Sequence, residues 1–154
     1  NMAVGGFLSG KVNEIPDREK EVVIADKFVV TVHWLSPKER DMIGKACVTP
    51  GRKGMAEVDR EKHARAYTRR VVKGWRGLTI DTLTGPLKIA LYPDALTEVK
   101  KTQEANNGEL PFNQADSELI YLNALPDKYA NRIKEVMDEW DEEDKSHEDD
   151  DLGK

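Results

Sequence analysis

Apolar positions along this chain change period after the first 35 residues. Residues 21–35 read EVVIADKFVVTVHWL, and Phe28, Val30, Val32 and Trp34 alternate with Val29, Thr31 and His33. Successive strand side chains point to opposite faces, so this alternation predicts a strand. Ala25-Asp26 breaks the apolar run and supplies a turn. The segment therefore predicts a β-hairpin whose second strand is the stronger.

Helical spacing takes over at Ser36. Ser36-Pro37-Lys38-Glu39 sets serine at N-cap, proline at N1 and glutamate at N3, which is a capping box. Met42, Ile43 and Ala46 form the apolar face of this helix, and TPGRKGM over 49–55 ends it in a loop. A longer helix begins near Val58. Ala64, Tyr67, Val71, Trp75 and Leu78 are spaced 3, 4, 4 and 3, a continuous stripe. On this reading Trp75 is a core residue, Gly74 admits a close neighbour, and Gly77 stops the helix in a left-handed conformation.

Ile80 to Leu91 stays unassigned, because Gly85-Pro86 interrupts any helix. A short helix follows Pro93 and ends at Asn107-Gly108. Leu110-Pro111-Phe112 is extended, and Asn113 caps a helix carrying Leu119, Ile120 and Leu122. Pro126 opens a last helix striped by Tyr129, Ile133, Val136 or Met137, and Trp140. The fold class is α+β, mainly helical: an N-terminal β-hairpin followed by four or five packed helices. The core is expected at Trp34, Val71, Trp75, Phe112, Leu119 and Ile133.

Composition and charge divide the chain. Residues 1–16 are glycine-containing and aperiodic, a flexible arm; 17–141 form a single globular domain. From Asp138 to Lys154 there are ten acids and two lysines, a net −8 out of a total of −5, which leaves the body at +3. Residues 142–154 are expected to be a disordered acidic tail, since like charges repel and nothing apolar is there to bury. No apolar run approaches the roughly 20 residues a membrane helix needs. The one cysteine, Cys47, has no partner for an internal disulfide and suits a reducing cytoplasm. At a helix end it reads as a packing residue.

Catalytic signatures are scarce. His33, His63 and His147 lack the spacing of a helical metal site, no CxxC occurs, and the glycines lack the context of a phosphate loop. No catalytic, cofactor-binding or metal-ligating residue is assigned. Arg60, Lys62, Arg65, Arg69, Arg70 and Lys73 cover the polar faces of the second helix, a patch able to neutralise phosphates. Asp59 and Glu61 dilute it, and no helix-turn-helix or zinc signature accompanies it. A solvated or protein-binding face is the simpler reading, with nucleic acid the weaker candidate.

The order of the pieces carries one resemblance. Leu35-Ser36-Pro37 closes a strand into a helix start, Gly74-Trp75-Arg76-Gly77 follows a basic helix, and Leu110-Pro111-Phe112-Asn113 opens a later helix before a final amphipathic one. Over about residues 26–140 this arrangement resembles the tail assembly chaperones of long-tailed bacteriophages. The segment from Ile80 to Asn107, the TPGRKG loop and the acidic tail depart from that pattern. The resemblance implies a non-catalytic protein of the bacterial cytoplasm, phage- or prophage-encoded. It would bind the tape measure protein during tail morphogenesis, meet the tail tube protein on its release, and be absent from the mature virion. Self-association into a homo-oligomer is compatible with that role. The partner face is expected at Arg65, Arg69 and Arg70 with Trp140, and Trp34, Gly74, Trp75, Gly77 and Phe112 are the structural motif. Two other classes stay open: a head–tail joining or tail-completion protein of the virion, and a small DNA-binding regulator.

Overall fold

The expected hairpin forms. The computed structural model describes residues 18–51 and 54–152, with side chains through residue 143. The arm at 1–16 and the end of the tail at 153–154 lie outside the described residues. Strands β1 (Glu19–Ala25) and β2 (Phe28–His33) pair antiparallel, with Val22 opposite Val30 and Glu19 opposite His33. Asp26 turns the chain at φ 53, a left-handed conformation that aspartate tolerates better than most residues. Phe28, Val30 and Val32 are fully buried on the inner face.

The basic helix ends sooner than its stripe suggests. Here α1 is Pro37–Ala46 and α2 is Arg60–Val71. At Val72 the chain turns extended, and Val72–Arg76 adds a strand to the free edge of β2, so Trp75 stands on a strand and not on a helix. The register explains the false stripe. Val72 lies opposite Val32 and Trp75 opposite Val30, with a register shift between Thr31 and Val32. In a regular strand, residues three apart face opposite sides. Lys73 is the extra residue of a bulge, which returns Trp75 to the inner face. The bulge thus reproduces the spacing of a helix. On the outer face Arg76 pairs with Glu21 at 3.1 Å across β2.

The two glycines of the motif take different roles from those expected. Gly77, at φ +76, terminates the strand and not a helix. A Cβ there would lie 1.9 Å from the Lys27 carbonyl oxygen, so only glycine fits against the hairpin turn. Gly74 admits no close neighbour: a Cβ there would meet nothing within 4 Å.

The 49–55 segment is not a plain loop. Between α1 and α2 a ribbon pairs Val48–Pro50 (β3) with Ala56–Val58 (β4), which makes Val72–Arg76 β5 in chain order. Cys47 is buried at the C-cap of α1, as its packing reading requires. Ser36 accepts from the Glu39 amide at 3.2 Å and so caps α1 as expected, while the Glu39 carboxylate accepts from the Ser36 hydroxyl at 3.1 Å and not from its amide. Of the apolar face assigned to α1, only Ile43 is buried; Met42 and Ala46 are exposed.

Four further helices follow among the described residues: α3 (Ile80–Thr84), α4 (Pro93–Ala105), α5 (Gln114–Asn123) and α6 (Ala130–Leu152). The stripe Tyr129, Ile133, Met137 and Trp140 is buried, although the helix begins at Ala130 and not at Pro126. Its backbone stays helical through Leu152, into the acidic segment that its charge alone would leave disordered. Leu119 is the misplaced core residue: it is 56% exposed, while Ile120 and Tyr121 beside it are buried.

One aromatic relay crosses the core. Phe112 meets Trp75 edge-on at 4.8 Å, Trp75 meets Phe28 at 6.0 Å, and Phe28 stacks on Tyr129 at 6.2 Å. Tyr129 meets Tyr121 at 6.3 Å, and Tyr121 meets Tyr67 at 5.4 Å. Each such pair contributes about 0.5–1.5 kcal/mol beyond its buried area. The relay joins α2, α5, the sheet and the turn before α6.

This packing sets a contrast between the two glycines. Gly77→Ala should destabilise by about 2–4 kcal/mol through overlap and a forced positive φ. Gly74→Ala should be neutral or stabilise by up to about 1 kcal/mol. Urea unfolding of both variants measures the difference, and equal effects would contradict the β2–β5 register. The buried phenols set a second expectation, in alkali. Burial, against the opposing pull of Arg40, pushes the Tyr67 phenol up to about 12. Tyr121 and Tyr129 are raised as well, chiefly by burial. A raised folded-state value favours the neutral phenol. The stabilisation is therefore complete below the unfolded value of about 10 and lost as pH rises through about 12. In a Tyr92→Phe variant, which leaves only the three buried phenols, tyrosinate absorbance and far-ultraviolet circular dichroism, recorded together from about pH 9 to 12.5, should change as one transition.

Candidate functional site

An apolar concavity grows from the end of β5. The Trp75 indole N–H donates to the Leu110 carbonyl at 3.0 Å, and the Leu110 amide donates to the Leu78 carbonyl at 2.7 Å. These bonds hold Leu110-Pro111-Phe112 extended against the sheet. Asn113 then accepts from the Asp116 amide at 3.1 Å and starts α5. The helix leaves Ile120 inward and Leu119 outward.

The opposite wall is the stretch that resisted assignment. The Ile89 amide donates to the Leu83 carbonyl at 2.8 Å, and Lys88 sits at φ 56. That left-handed residue separates the fully buried Leu87 from the half-buried Ile89. Helix α4 closes the side. It buries none of its residues and lacks a side-chain N-cap bond, although the Gln103 side-chain oxygen accepts from the Ile80 amide at 2.8 Å.

Between these walls lies a groove of about 690 Å³. Trp75, Leu78, Leu83, Ile89, Leu91, Val99, Phe112 and Ile120 make it apolar, and Leu119 stands on its lip. The volume falls within the ordinary range for ligand clefts, about 300–1,000 Å³. Its charged lining residues are Asp116 and Lys88. Partial burial holds the Asp116 carboxyl above the ordinary aspartate range. Among the described residues, no group of three or more His, Cys, Asp and Glu side chains is placed to hold a metal ion. Nor, among them, is any helix long and apolar enough to cross a membrane.

The residues named from sequence fall in three places. Trp75 and Phe112 line the groove, half-buried and in mutual contact. Arg65, Arg69 and Arg70 are exposed on α2, and each has a carboxylate beside it: Glu61, Glu118 and Glu39 respectively. Their side chains stay more than half exposed, so these pairs offset their charge without covering them. Trp140 is buried, with the Lys20 ammonium 4.9 Å above its ring, so it does not belong to an exposed partner face. Trp34 is half-buried at the far end of β2 and donates to Asp141 at 2.9 Å, while Arg40 holds the other oxygen of that carboxylate.

Sequence reasoning missed Lys88, Ile89, Leu91 and Val99. Lys88, Ile89 and Leu91 lie where the glycine–proline break hid any period, and Val99 lies on the helix expected after Pro93. One signal was available. Leu119, Ile120, Tyr121 and Leu122 are four consecutive apolar residues, wider than one core-facing stripe. The excess marks a second apolar surface on α5.

No known family, curated protein or solved structure matches this chain.

Asp141 ties α6 to α1 and to the segment after β2, so Asp141→Ala should cost about 1–3 kcal/mol by loss of two bonds to a charged group. Glu143→Ala, which removes an exposed pair with Lys20, should cost at most about 1 kcal/mol. Thermal unfolding of the two variants side by side tests the assignment.

Proposed function

We propose that the protein is a non-catalytic tail assembly chaperone that holds an amphipathic segment of a tape measure protein in the groove between α4 and α5. The groove itself carries the reading. It offers an apolar lining over a volume of about 690 Å³, with an exposed leucine at its lip. A tape measure protein is a very long helical chain, and its apolar stripe would drive aggregation before the tail tube encloses it. A groove that covers part of the stripe reversibly supplies what such a chain lacks. The order of motifs along the sequence points the same way.

The arginine face supports the other partner readings less. Its three named guanidinium groups each sit beside a carboxylate of the same chain, which reduces the charge available to phosphates.

The test is co-expression with the tape measure protein of the same genome, followed by size-exclusion chromatography with light scattering. The long chain should become soluble and co-elute with several copies bound. Leu119→Glu should change stability by no more than about 0.5 kcal/mol, because the side chain is mostly exposed. The same substitution should weaken binding more than about tenfold. Full binding by that variant would remove the groove from the interface. A discrete ring of this protein alone, beside an insoluble long chain, would favour a structural piece of the virion.

A further inference from the structure

The groove is apolar but not uniform. Asp116 lies on the α5 side, and Lys88 lies on the segment before α4. Neither side chain has an ion-pair partner among the described residues. Arg40, Arg65, Arg69, Arg70 and Arg76 all do. Asp116 has an ordinary role in the first turn of α5, where an acid suits the positive end of the helix. That role explains a carboxylate at N3. It does not explain why the carboxylate lines an apolar groove, where partial desolvation works against its charge. Lys88 is equally conspicuous, since a lysine occupies a left-handed position that glycine or asparagine fills more readily.

We infer that the occupant of the groove is an amphipathic helix whose apolar stripe is flanked by a base on one side and an acid on the other, the base meeting Asp116 and the acid meeting Lys88. This rests on the docking proposal and specifies the chemistry of that partner. An apolar or acidic face lowered over Asp116 would strip water from the carboxylate and return nothing. A lysine or arginine at that flank replaces the lost hydration with a charge-assisted bond. The same reasoning applies to Lys88 with the sign reversed. The two charges stand on different walls, so a helix with one sign on both flanks meets a like charge on one side wherever it lies. The pair thus selects against wrongly charged helices as much as it favours the right one.

Three designed peptides of about 20 residues share one leucine–alanine stripe and differ only at the flanks. One carries lysines on one flank and glutamates on the other, one carries lysines on both, and one carries glutamates on both. Fluorescence polarisation of labelled peptides against the full chain measures affinity. The mixed peptide should bind about fivefold tighter than either single-sign peptide. Asp116→Asn should bring the all-glutamate peptide level with the mixed one. Lys88→Gln should do the same for the all-lysine peptide. Circular dichroism melts check that both variants fold. If all three peptides bind the native protein equally, or if the preference survives both substitutions, the charge assignment is overturned while the groove remains a docking site. If no peptide binds, the docking proposal falls and this inference falls with it.

Discussion

Trp75 is the residue on which the layers of this fold converge. Its ring is met edge-on by Phe28 from the sheet and by Phe112 from the segment before α5, and its N–H holds the Leu110 carbonyl. It reaches that position only because β5 pairs with β2 and because Lys73 is bulged out of the ladder. Without β5 the sheet would be a two-stranded hairpin, which is marginal in water on its own. Without the bulge, Val72 and Trp75 would face opposite sides, and one of two large apolar groups would be in solvent. The third strand, the aromatic relay and the inner end of the groove all depend on that local irregularity.

The same irregularity explains where sequence and structure part. The hairpin, the Ser36 cap, the Asn113 cap and the stripe of α6 were legible, because each rests on a local period or a local hydrogen bond. Trp75 was correctly read as apolar and inward, but on the wrong element. A bulged strand after a helix continues a helical spacing, and no residue type distinguishes the two. Tertiary pairing decided: β2 had a free edge, and the run Val71-Val72 is β-branched, which suits extension. The β3–β4 ribbon escaped because glycines and lysine–arginine pairs normally signal loops. Residues 80–91 escaped because they hold together through backbone bonds and the Gln103 cap of Ile80, and not through a stripe, whereas the helix after Pro93 was legible from its proline and its Asn107-Gly108 stop.

Charge is distributed differently from what the basic stripe of α2 suggests. Its arginines meet carboxylates from α1, α5 and its own preceding turn, exposed pairs worth about 0–1 kcal/mol each. Some acids of the C-terminal run are structural as well. Asp141 holds Trp34 and Arg40, and Glu143 reaches Lys20 on β1. A charge count along the sequence sees a basic face and an acidic end. The folded chain uses opposite charges to fasten its own elements, and the charges left without ion-pair partners among the described residues include the two that line the groove.

If the groove holds a long helix, as proposed, it must also release it. Helix α4 forms one wall of the groove without a single buried residue, which places it among the less stable elements of the fold. Its attachment rests on half-buried contacts and one side-chain bond from Gln103. Any ordering of such a wall on ligand binding would cost free energy and limit the affinity of a single groove. On the proposed function, moderate affinity with fast dissociation would suit a partner that many copies cover and that must be uncovered one site at a time. The opposite wall is rigid by comparison, since Trp75, Phe112 and Ile120 belong to or pack directly against the buried core. A wall built on the core beside one held by half-buried contacts is an arrangement that, on the proposed function, would favour coverage with release over permanent capture.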